Sequence, residues 1–375
     1  MKNCIFLIVA IVLATNCSHA QDNKITIGIH RTNMSWTKRD KYKELLDGMK
    51  AIGARNVRLS SIKGRGRIET ILNHIAYANS IDLEVLLIIA LPNNSYYDQD
   101  TQKKPKINGG KIYAALDVNH EKYKSHTAQL FQGIKERNLK VKAFEVFNEV
   151  NWTDFNSDLP NWRFSKEVTK GTGLVFNSKT KMTPMHQHVI KAMLNYGELL
   201  QTTIDLRDQY FTNKERPKIV SSGIVIDYTG VLFDKFVTRG LTCVDPLYFI
   251  DLLSGKTKHS KVDYLKSIDA FGVHYYPKKT LSYKTAVQEV KNRIRPICKR
   301  IDKKVWITEW DVKAEKHYNH DENVRYKVVK WYIDATKKVT PSVSHVYLFS
   351  YDQMRAVVKK DGTVSPVAGV FDEYK

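Results

Sequence analysis

The amino-acid sequence predicts a (β/α)8 barrel, a class of α/β fold, and two patterns in its 375 residues support that prediction. Apolar, β-branched runs alternate with amphipathic helical stretches along almost the whole chain, as in parallel strands joined by helical crossovers. There are eight such runs, the number that closes a parallel barrel. An open doubly wound sheet is the alternative, but this count and the polar residues at several strand ends disfavour it.

The predicted strands are apolar because a parallel barrel buries both faces of each strand. They are, in chain order, Lys24–Ile29, Asn56–Ser60, Leu83–Leu91, Val141–Phe147, Lys218–Ile226, Ile268–His274, Lys304–Thr308 and Ser344–Phe349.

The first predicted helix has the i, i+3, i+4 spacing of one buried face, at Tyr42, Leu45, Leu46, Met49 and Ile52. Further helices are predicted at Ile68–Ser80, His120–Arg137, Pro184–Tyr210, Leu281–Ile301 and Glu322–Lys337, and around Gly230–Leu253, where Pro246 interrupts the pattern. Since so few residues follow the eighth strand, we expect the last helix to be short, displaced or absent.

The N-terminus has the features of a signal peptide. Lys2 precedes an apolar stretch at Ile5–Ala14, and Ser18-His19-Ala20 ends in small residues suited to cleavage. We therefore expect residues 1–20 to be a signal peptide, 21–375 to form one barrel domain, and the protein to be secreted or periplasmic. A lipoprotein anchor at Cys17 is the less favoured alternative. No later stretch is long and apolar enough to predict stable membrane insertion.

Two cysteines, Cys243 and Cys298, lie outside the predicted leader and its edge. One disulfide and two unpaired thiols are both open, because an exported protein meets an oxidising compartment but the spacing favours neither. The oligomeric state is open as well.

The formal net charge is +21, and loss of Lys2 would make it +20. Because the lysines are scattered over many predicted helices, we interpret them mainly as a solvated surface, and no nucleic-acid-binding motif accompanies them. Lys63, Arg65 and Arg67 follow the second predicted strand. They leave open an acidic carbohydrate partner, although an ordinary flexible basic loop is the favoured interpretation.

Two predicted strands, the fourth and the seventh, end in a carboxylate close to a tryptophan. Glu149 follows Asn148 in one, and Glu309 precedes Trp310 in the other. The C-terminal ends of barrel strands converge on one mouth, where strands four and seven face each other. Glycosidic bond cleavage needs such a pair, one acid to protonate the leaving oxygen and one carboxylate to attack, about 5–5.5 Å apart for retention. No metal or organic cofactor is needed for this chemistry.

These residues resemble the motifs of the clan A glycoside hydrolases. The segment Phe144–Asn151, FEVFNEVN, looks like the strand-four signature of the β-xylosidase and α-iduronidase family and its relatives, and Ile307–Trp310, ITEW, looks like the clan's strand-seven signature. The resemblance covers roughly residues 24–372 and implies a TIM-barrel retaining glycosidase. It implies Glu149 as acid/base, Glu309 as nucleophile and Asn148 as a ligand of the sugar 2-hydroxyl.

Two further segments match the clan. Asn56–Leu59 resembles its second strand, which implies that Arg58 lies near the nucleophile and keeps it ionised; a buried structural ion pair is the alternative. His274 and Tyr276 match its His-x-Tyr pattern on strand six and point the same way on a strand. The resemblance implies that they bind the sugar and steady the nucleophile, and a packed barrel-end cluster is the alternative.

The loop after the fourth strand, Val150–Thr183, carries aromatic residues of the kind that stack on pyranose rings. We expect Trp152 to contact substrate, with anchoring of the loop as the alternative. Glu145 lies four residues before Glu149, and we expect it to be a structural partner for a cation inside the barrel.

Three departures from the clan pattern are present. Val150 stands where many relatives have proline, and the eighth strand ends without the tryptophan that often floors the first sugar site. Tyr347, Phe349 or Tyr351 could replace it. The third departure is the short C-terminus.

The resemblance implies a retaining O-glycosyl hydrolase acting on an oligo- or polysaccharide. A catalytically inactive barrel that binds carbohydrate or another surface is the alternative. The sugar, the linkage and endo or exo action depend on loops whose resemblance to the clan is weakest.

Overall fold

The structure is a computed structural model that describes residues 24–31, 34, 41–60, 67–107, 109–171, 173–212, 214–226, 241–277, 282–312, 320–353 and 355–375. The predicted signal peptide, Lys63 and Arg65 lie outside the described residues. Within these ranges, no helix combines the length and apolarity needed to cross a bilayer.

Eight parallel strands form the centre of the fold. They are β1 (Thr26–His30), β2 (Asn56–Ser60), β3 (Glu84–Ile89), β4 (Ala143–Val146), β5 (Lys218–Val220), β6 (Ala270–Tyr275), β7 (Lys304–Trp310) and β8 (Val343–Phe349). Hydrogen bonds run in the order β7-β8-β1-β2-β3-β4-β5-β6, and β6 pairs with β7 to close the barrel. A short strand, Ile224–Val225, prolongs β5 beside β6. The predicted (β/α)8 barrel is confirmed.

The helices follow the strands in alternation. They are α1 (Lys41–Ala51), α2 (Ile68–Ser80), α3 (His120–Glu136), α4 (Pro184–Tyr210), α5 (Pro246–Leu253), α6 (Tyr283–Arg300), α7 (Glu322–Val339) and α8 (Val370–Glu373). Side-chain caps start several of them: Thr183 accepts a hydrogen bond from the amide of His186 at the start of α4. The last helix is a single turn, as expected.

The predicted helical stretch around Gly230–Leu253 is wrong in one described part. Cys243 and Val244 form a short strand parallel to Val175–Phe176, and the helix begins only at Pro246. Asp245 explains this boundary, because its side chain accepts hydrogen bonds from two amides of the first turn. The two cysteines carry free thiols, so the unpaired alternative holds.

The lower interior of the barrel is filled by one apolar cluster with residues from six strands: Leu86, Ala143, Val220, Ala270, Trp306 and Tyr347. The side chain two positions further along each strand also points into the barrel, one layer nearer to the C-terminal mouth. On β4 that residue is Glu145, and on β7 it is Thr308. The polarity of the interior therefore changes from apolar to charged on the way to the mouth.

Candidate active site

Glu149 lies just after β4, on backbone that side chains rarely adopt. Its φ is 47°, and that of Phe147 is 67°, both in the left-handed region. The amide of Glu149 donates to the carbonyl of Gly223 at 3.1 Å, and Asn148 pairs with Gly223 as an isolated parallel bridge. The chain beyond β5 thus holds this turn in place. Oε1 of Glu149 lies 2.8 Å from Nδ1 of His274.

Glu309, near the end of β7, has a donor at each carboxylate oxygen. Arg58 Nη1 donates to Oε1 at 2.6 Å, and the Tyr276 hydroxyl donates to Oε2 at 2.7 Å. Burial alone would raise the pKa of Glu309, but the charges of His274 and Arg58 hold that pKa well below its ordinary range. Glu309 is therefore an anion at neutral pH.

Burial raises the pKa of Glu149; the hydrogen bond from His274 opposes this rise, and the negative charge of Glu309 adds to it. Ligand atoms of Glu149, His274 and Glu309 all lie within 4.8 Å of one another. One oxygen of Glu149 therefore lies no more than 4.8 Å from one oxygen of Glu309, which fits retaining chemistry, whereas inverting enzymes need about 6.5–9.5 Å. The pair combines a close spacing with pKa values that are shifted in opposite directions, upward for Glu149 and downward for Glu309.

A buried guanidinium organises the site. Arg58 is fully buried, and it donates from Nε to Glu145 Oε2 at 2.6 Å and from Nη2 to Glu145 Oε1 at 2.9 Å. The same Nη2 donates to Asn148 Oδ1 at 2.8 Å. Glu145 also accepts from the amide of Gly223 at 3.0 Å and the hydroxyl of Thr308 at 2.9 Å. The predicted pairing of Glu145 with a cation inside the barrel is confirmed.

His274 is surrounded by acids. Burial lowers its pKa, but the carboxylates of Glu309, Glu145 and Glu149 outweigh that effect and raise the pKa to about 9. Its Nε2 lies 3.3 Å from Arg58 Nη2 and 3.8 Å from Glu145 Oε1. The carboxylates therefore raise the pKa of His274 although a cationic guanidinium lies beside the ring. His274 is thereby held as a cation that donates to Glu149.

His30, at the end of β1, is a site residue that the sequence analysis missed. Its Nδ1 lies 2.7 Å from Arg58 Nη1 and 3.8 Å from Glu309 Oε1. Burial lowers the pKa of His30 to about 3, so the neutral ring accepts from the guanidinium. Its position at a strand end on the mouth side was the available signal.

The charges at this cluster favour proton transfer and nucleophilic attack over metal binding. A divalent metal needs a neutral imidazole and deprotonated acids. Here the imidazole of His274 is cationic, and the guanidinium of Arg58 already occupies one side of Glu309.

Trp152 lies in the loop after β4 but is 8% exposed. It packs against Val225, Leu241 and Cys243, which favours the alternative of loop anchoring. Contact of Trp152 with substrate stays a prediction.

The aromatic residues at the end of β8 divide into three environments. Tyr347 belongs to the buried apolar cluster of the lower barrel, and the Tyr351 hydroxyl lies against Gly48 on α1. Phe349 lies at the site, with its ring centroid 4.8 Å from that of His30 and 6.1 Å, edge to face, from that of Tyr276. Of the three candidates for the missing tryptophan, Phe349 contacts the site.

Gly223 leaves the space that the side chains of His274 and Thr308 occupy in the hydrogen-bond network of the site. A Cβ there would lie 2.2 Å from His274 Nε2 and 2.5 Å from Thr308 Oγ1. Because His274 is fixed by three carboxylates, we expect Gly223→Ala to displace the ring and lower kcat on an aryl glycoside at least about tenfold. Gly369→Ala is the matched control, since its added Cβ meets Tyr326 at an ordinary 3.4 Å. Equal activity of the two variants would show that the site tolerates a shifted His274.

Comparisons with known proteins find the same fold in several solved structures. No protein-family model matches the sequence, and no curated protein matches it. The structure is similar to a GH5-4 broad specificity endoglucanase from an uncultured bacterium, with a TM-score of 0.57 and 12% identity over 94% of each chain. It is similar to fungal beta-1,4-galactanases, with a TM-score of 0.54 and 12% identity over 92% of this chain and 94% of theirs.

A third similar structure is a Bacteroides ovatus GH5 xyloglucanase in complex with a XXXG heptasaccharide, with a TM-score of 0.54 and 10% identity over 93% of this chain and 74% of that one. The narrower resemblance to the β-xylosidase and α-iduronidase family stays a prediction. The chain has the TIM-barrel fold that these glycoside hydrolases share.

Proposed function

We propose that the protein is a retaining O-glycosyl hydrolase that cleaves an oligo- or polysaccharide by double displacement. One observation carries this proposal: two buried carboxylates each place an oxygen within 4.8 Å of the other, and their surroundings shift their pKa values in opposite directions. One acid and one anion, side by side, are what the two roles require.

In the first step, a carboxylate oxygen of Glu309 forms a bond to the anomeric carbon as the bond from that carbon to the leaving oxygen breaks. Glu149 gives its proton to the leaving oxygen, so the aglycone departs as a neutral alcohol. In the second step, Glu149 takes a proton from water, the water oxygen bonds to the anomeric carbon, and Glu309 is released as a carboxylate.

The neighbouring groups support these steps. Arg58 and Tyr276 keep Glu309 anionic for attack, and the same hydrogen bonds stabilise it when it departs. Arg58 also fixes Oδ1 of Asn148, which leaves the Nδ2 group as the end that donates to the sugar 2-hydroxyl. That contact would strengthen as the oxocarbenium-like transition state forms.

Replacing the proposed acid/base separates the two steps. We expect Glu149→Ala to lower kcat by about 10²–10⁴-fold on a substrate with a poor leaving group, because its departing oxygen needs a proton. A substrate with a good leaving group should still glycosylate Glu309. Azide should then attack the intermediate and restore turnover, giving a glycosyl azide with retained configuration.

Product analysis by NMR and mass spectrometry checks this result. Glu198→Gln on α4, an exposed carboxylate whose ion-pair partner is His120, is the matched control and should behave like wild type. Turnover of Glu149→Ala on poor leaving groups at the wild-type rate would exclude the assignment. Absence of hydrolysis by the wild type on aryl glycosides and on charged and neutral polysaccharides would favour an inactive carbohydrate-binding barrel instead.

A further inference from the structure

Within the loops on the mouth face of the barrel, two segments are rich in cations and poor in acids. Residues 101–113, after β3, contain four lysines and no acid, and residues 162–181, after β4, contain five cations and one acid. This local excess of positive charge requires its own explanation.

The two loops form one surface. Lys104–Pro105 and Lys111–Ile112 make a short antiparallel hairpin, and the carbonyl of Pro105 accepts a hydrogen bond from Asn161 Nδ2 at 3.1 Å. The amide of Ile107 donates to Asp154 Oδ1 at 2.8 Å. The hairpin is therefore fixed onto the loop that follows the proposed acid/base.

On this surface, cations cover the faces of aromatic rings. The distances from cation to ring centroid are 4.6 Å for Lys103 on Tyr113, 5.4 Å for Lys104 on Phe164, 4.6 Å for Lys106 on Phe155, and 5.3 Å and 5.8 Å for Arg163 and Lys170 on Trp162. We call these five cations and four rings the basic–aromatic surface. Across the described part of the chain, none of the five cations pairs with a carboxylate within 4.0 Å.

The covered rings distinguish between ligands. A neutral pyranose ring or a nucleic-acid base that stacked on these faces would have to displace the cations first. A carboxylate or sulfate group instead binds the cations where they lie, without losing the cation–ring contacts. The surface is thus suited to an anionic chain that offers repeated charges.

The basic–aromatic surface lies on the side of Glu149. The amide of Trp152 donates to the carbonyl of Glu149 at 2.9 Å, the amide of Phe155 donates to the carbonyl of Trp152 at 3.0 Å, and Lys106 covers the Phe155 ring. The acid/base protonates the leaving oxygen, so the leaving part of a bound chain extends on its side of the mouth.

We propose that the basic–aromatic surface binds the leaving-group portion of an anionic polysaccharide, whose carboxylate or sulfate groups contact its lysines and arginines. This inference rests on the proposed glycosidase function. It names the substrate class of that same site.

Binding to the inactive variant Glu309→Gln tests the inference without turnover. The probes are polygalacturonate for carboxylates, chondroitin sulfate for sulfates, galactan as a neutral chain and single-stranded DNA as another polyanion. We expect one anionic polysaccharide to bind more tightly than galactan and DNA, and its affinity to fall as salt rises. Equal binding of galactan, or binding of DNA as tight as that of the better polysaccharide, would overturn the inference.

Charge removal locates the binding. Adding Lys103→Gln, Lys104→Gln and Lys106→Gln to Glu309→Gln should weaken binding of the anionic polysaccharide about tenfold or more, because three charged contacts are lost. The matched control is Lys284→Gln, Lys291→Gln and Lys299→Gln, which removes the same charge from the exposed side of α6. Equal losses in both triple variants would show that only net charge matters and would overturn the inference.

The wild-type protein distinguishes failure of this inference from failure of the proposed function. The glycosidase function would be refuted if the triple variant of Lys103, Lys104 and Lys106 bound an anionic polysaccharide more weakly but the wild type hydrolysed neither a bound chain nor an aryl glycoside. The protein would then be a barrel that binds anionic polysaccharides. Hydrolysis of a neutral chain, with no preference of the inactive variant for anionic chains, would refute the inference and leave the glycosidase.

Discussion

Glu309→Gln is expected to lower kcat on an aryl glycoside by about four orders of magnitude or more, the scale seen when a catalytic nucleophile is removed. The amide cannot form the glycosyl-enzyme bond, so the first displacement has no nucleophile. The substitution also removes the negative charge that lies beside Arg58 and His274 at the mouth. A better leaving group cannot compensate, which distinguishes this variant from Glu149→Ala.

A fluoro-sugar or cyclophellitol-type probe checks the same residue without turnover. We expect intact-protein mass spectrometry to show one adduct on the wild type, peptide mapping to place it on Glu309, and Glu309→Gln to remain unlabelled. Glu198→Gln, an exposed carboxylate on α4, is the control that should label normally. An adduct on another residue, or near-normal hydrolysis by Glu309→Gln, would contradict the assignment.

Arg58→Met is expected to have the largest effect on stability, lowering the free energy of unfolding by about 3–5 kcal/mol. Arg58 and Glu145 are fully buried, and the guanidinium also binds Glu309. Removing it leaves two buried carboxylates without their closest cation. Adding Glu145→Gln to Arg58→Met should recover part of the stability, because one unpaired charge is removed.

The same variant should shift the pH dependence of kcat/KM. Arg58 helps to hold the pKa of Glu309 below its ordinary range, so Glu309 is protonated only at low pH in the wild type. Without Arg58 the pKa of Glu309 rises, and activity is lost at a higher pH as the solution is acidified.

Arg207→Met is the control for this shift. Arg207 is a buried arginine that pairs with Asp208 and Asp269 away from the mouth. It should lose stability when replaced, without a change in the acidic limb. Identical limbs in both variants would show that Arg58 acts on stability alone.

Much of the fold could be predicted because its determinants are local. Alternating apolar runs and helical periodicity reflect side chains one to four residues apart, and they placed β2, α2 and α4 at their observed bounds. Cys243 and Val244 were wrongly predicted as helical because their pairing with Val175–Phe176 depends on a partner far away in the chain.

The sequence by itself determined the barrel and the placement of Glu149 and Glu309 at the ends of its fourth and seventh strands, because strand order dictates which strand ends share a mouth. The tertiary structure decided their chemistry. Arg58 lies 87 residues from Glu145 and 251 residues from Glu309, and His274 lies 125 residues from Glu149. A pKa depends on burial and on charges within a few ångströms, and only the folded chain brings these groups that close.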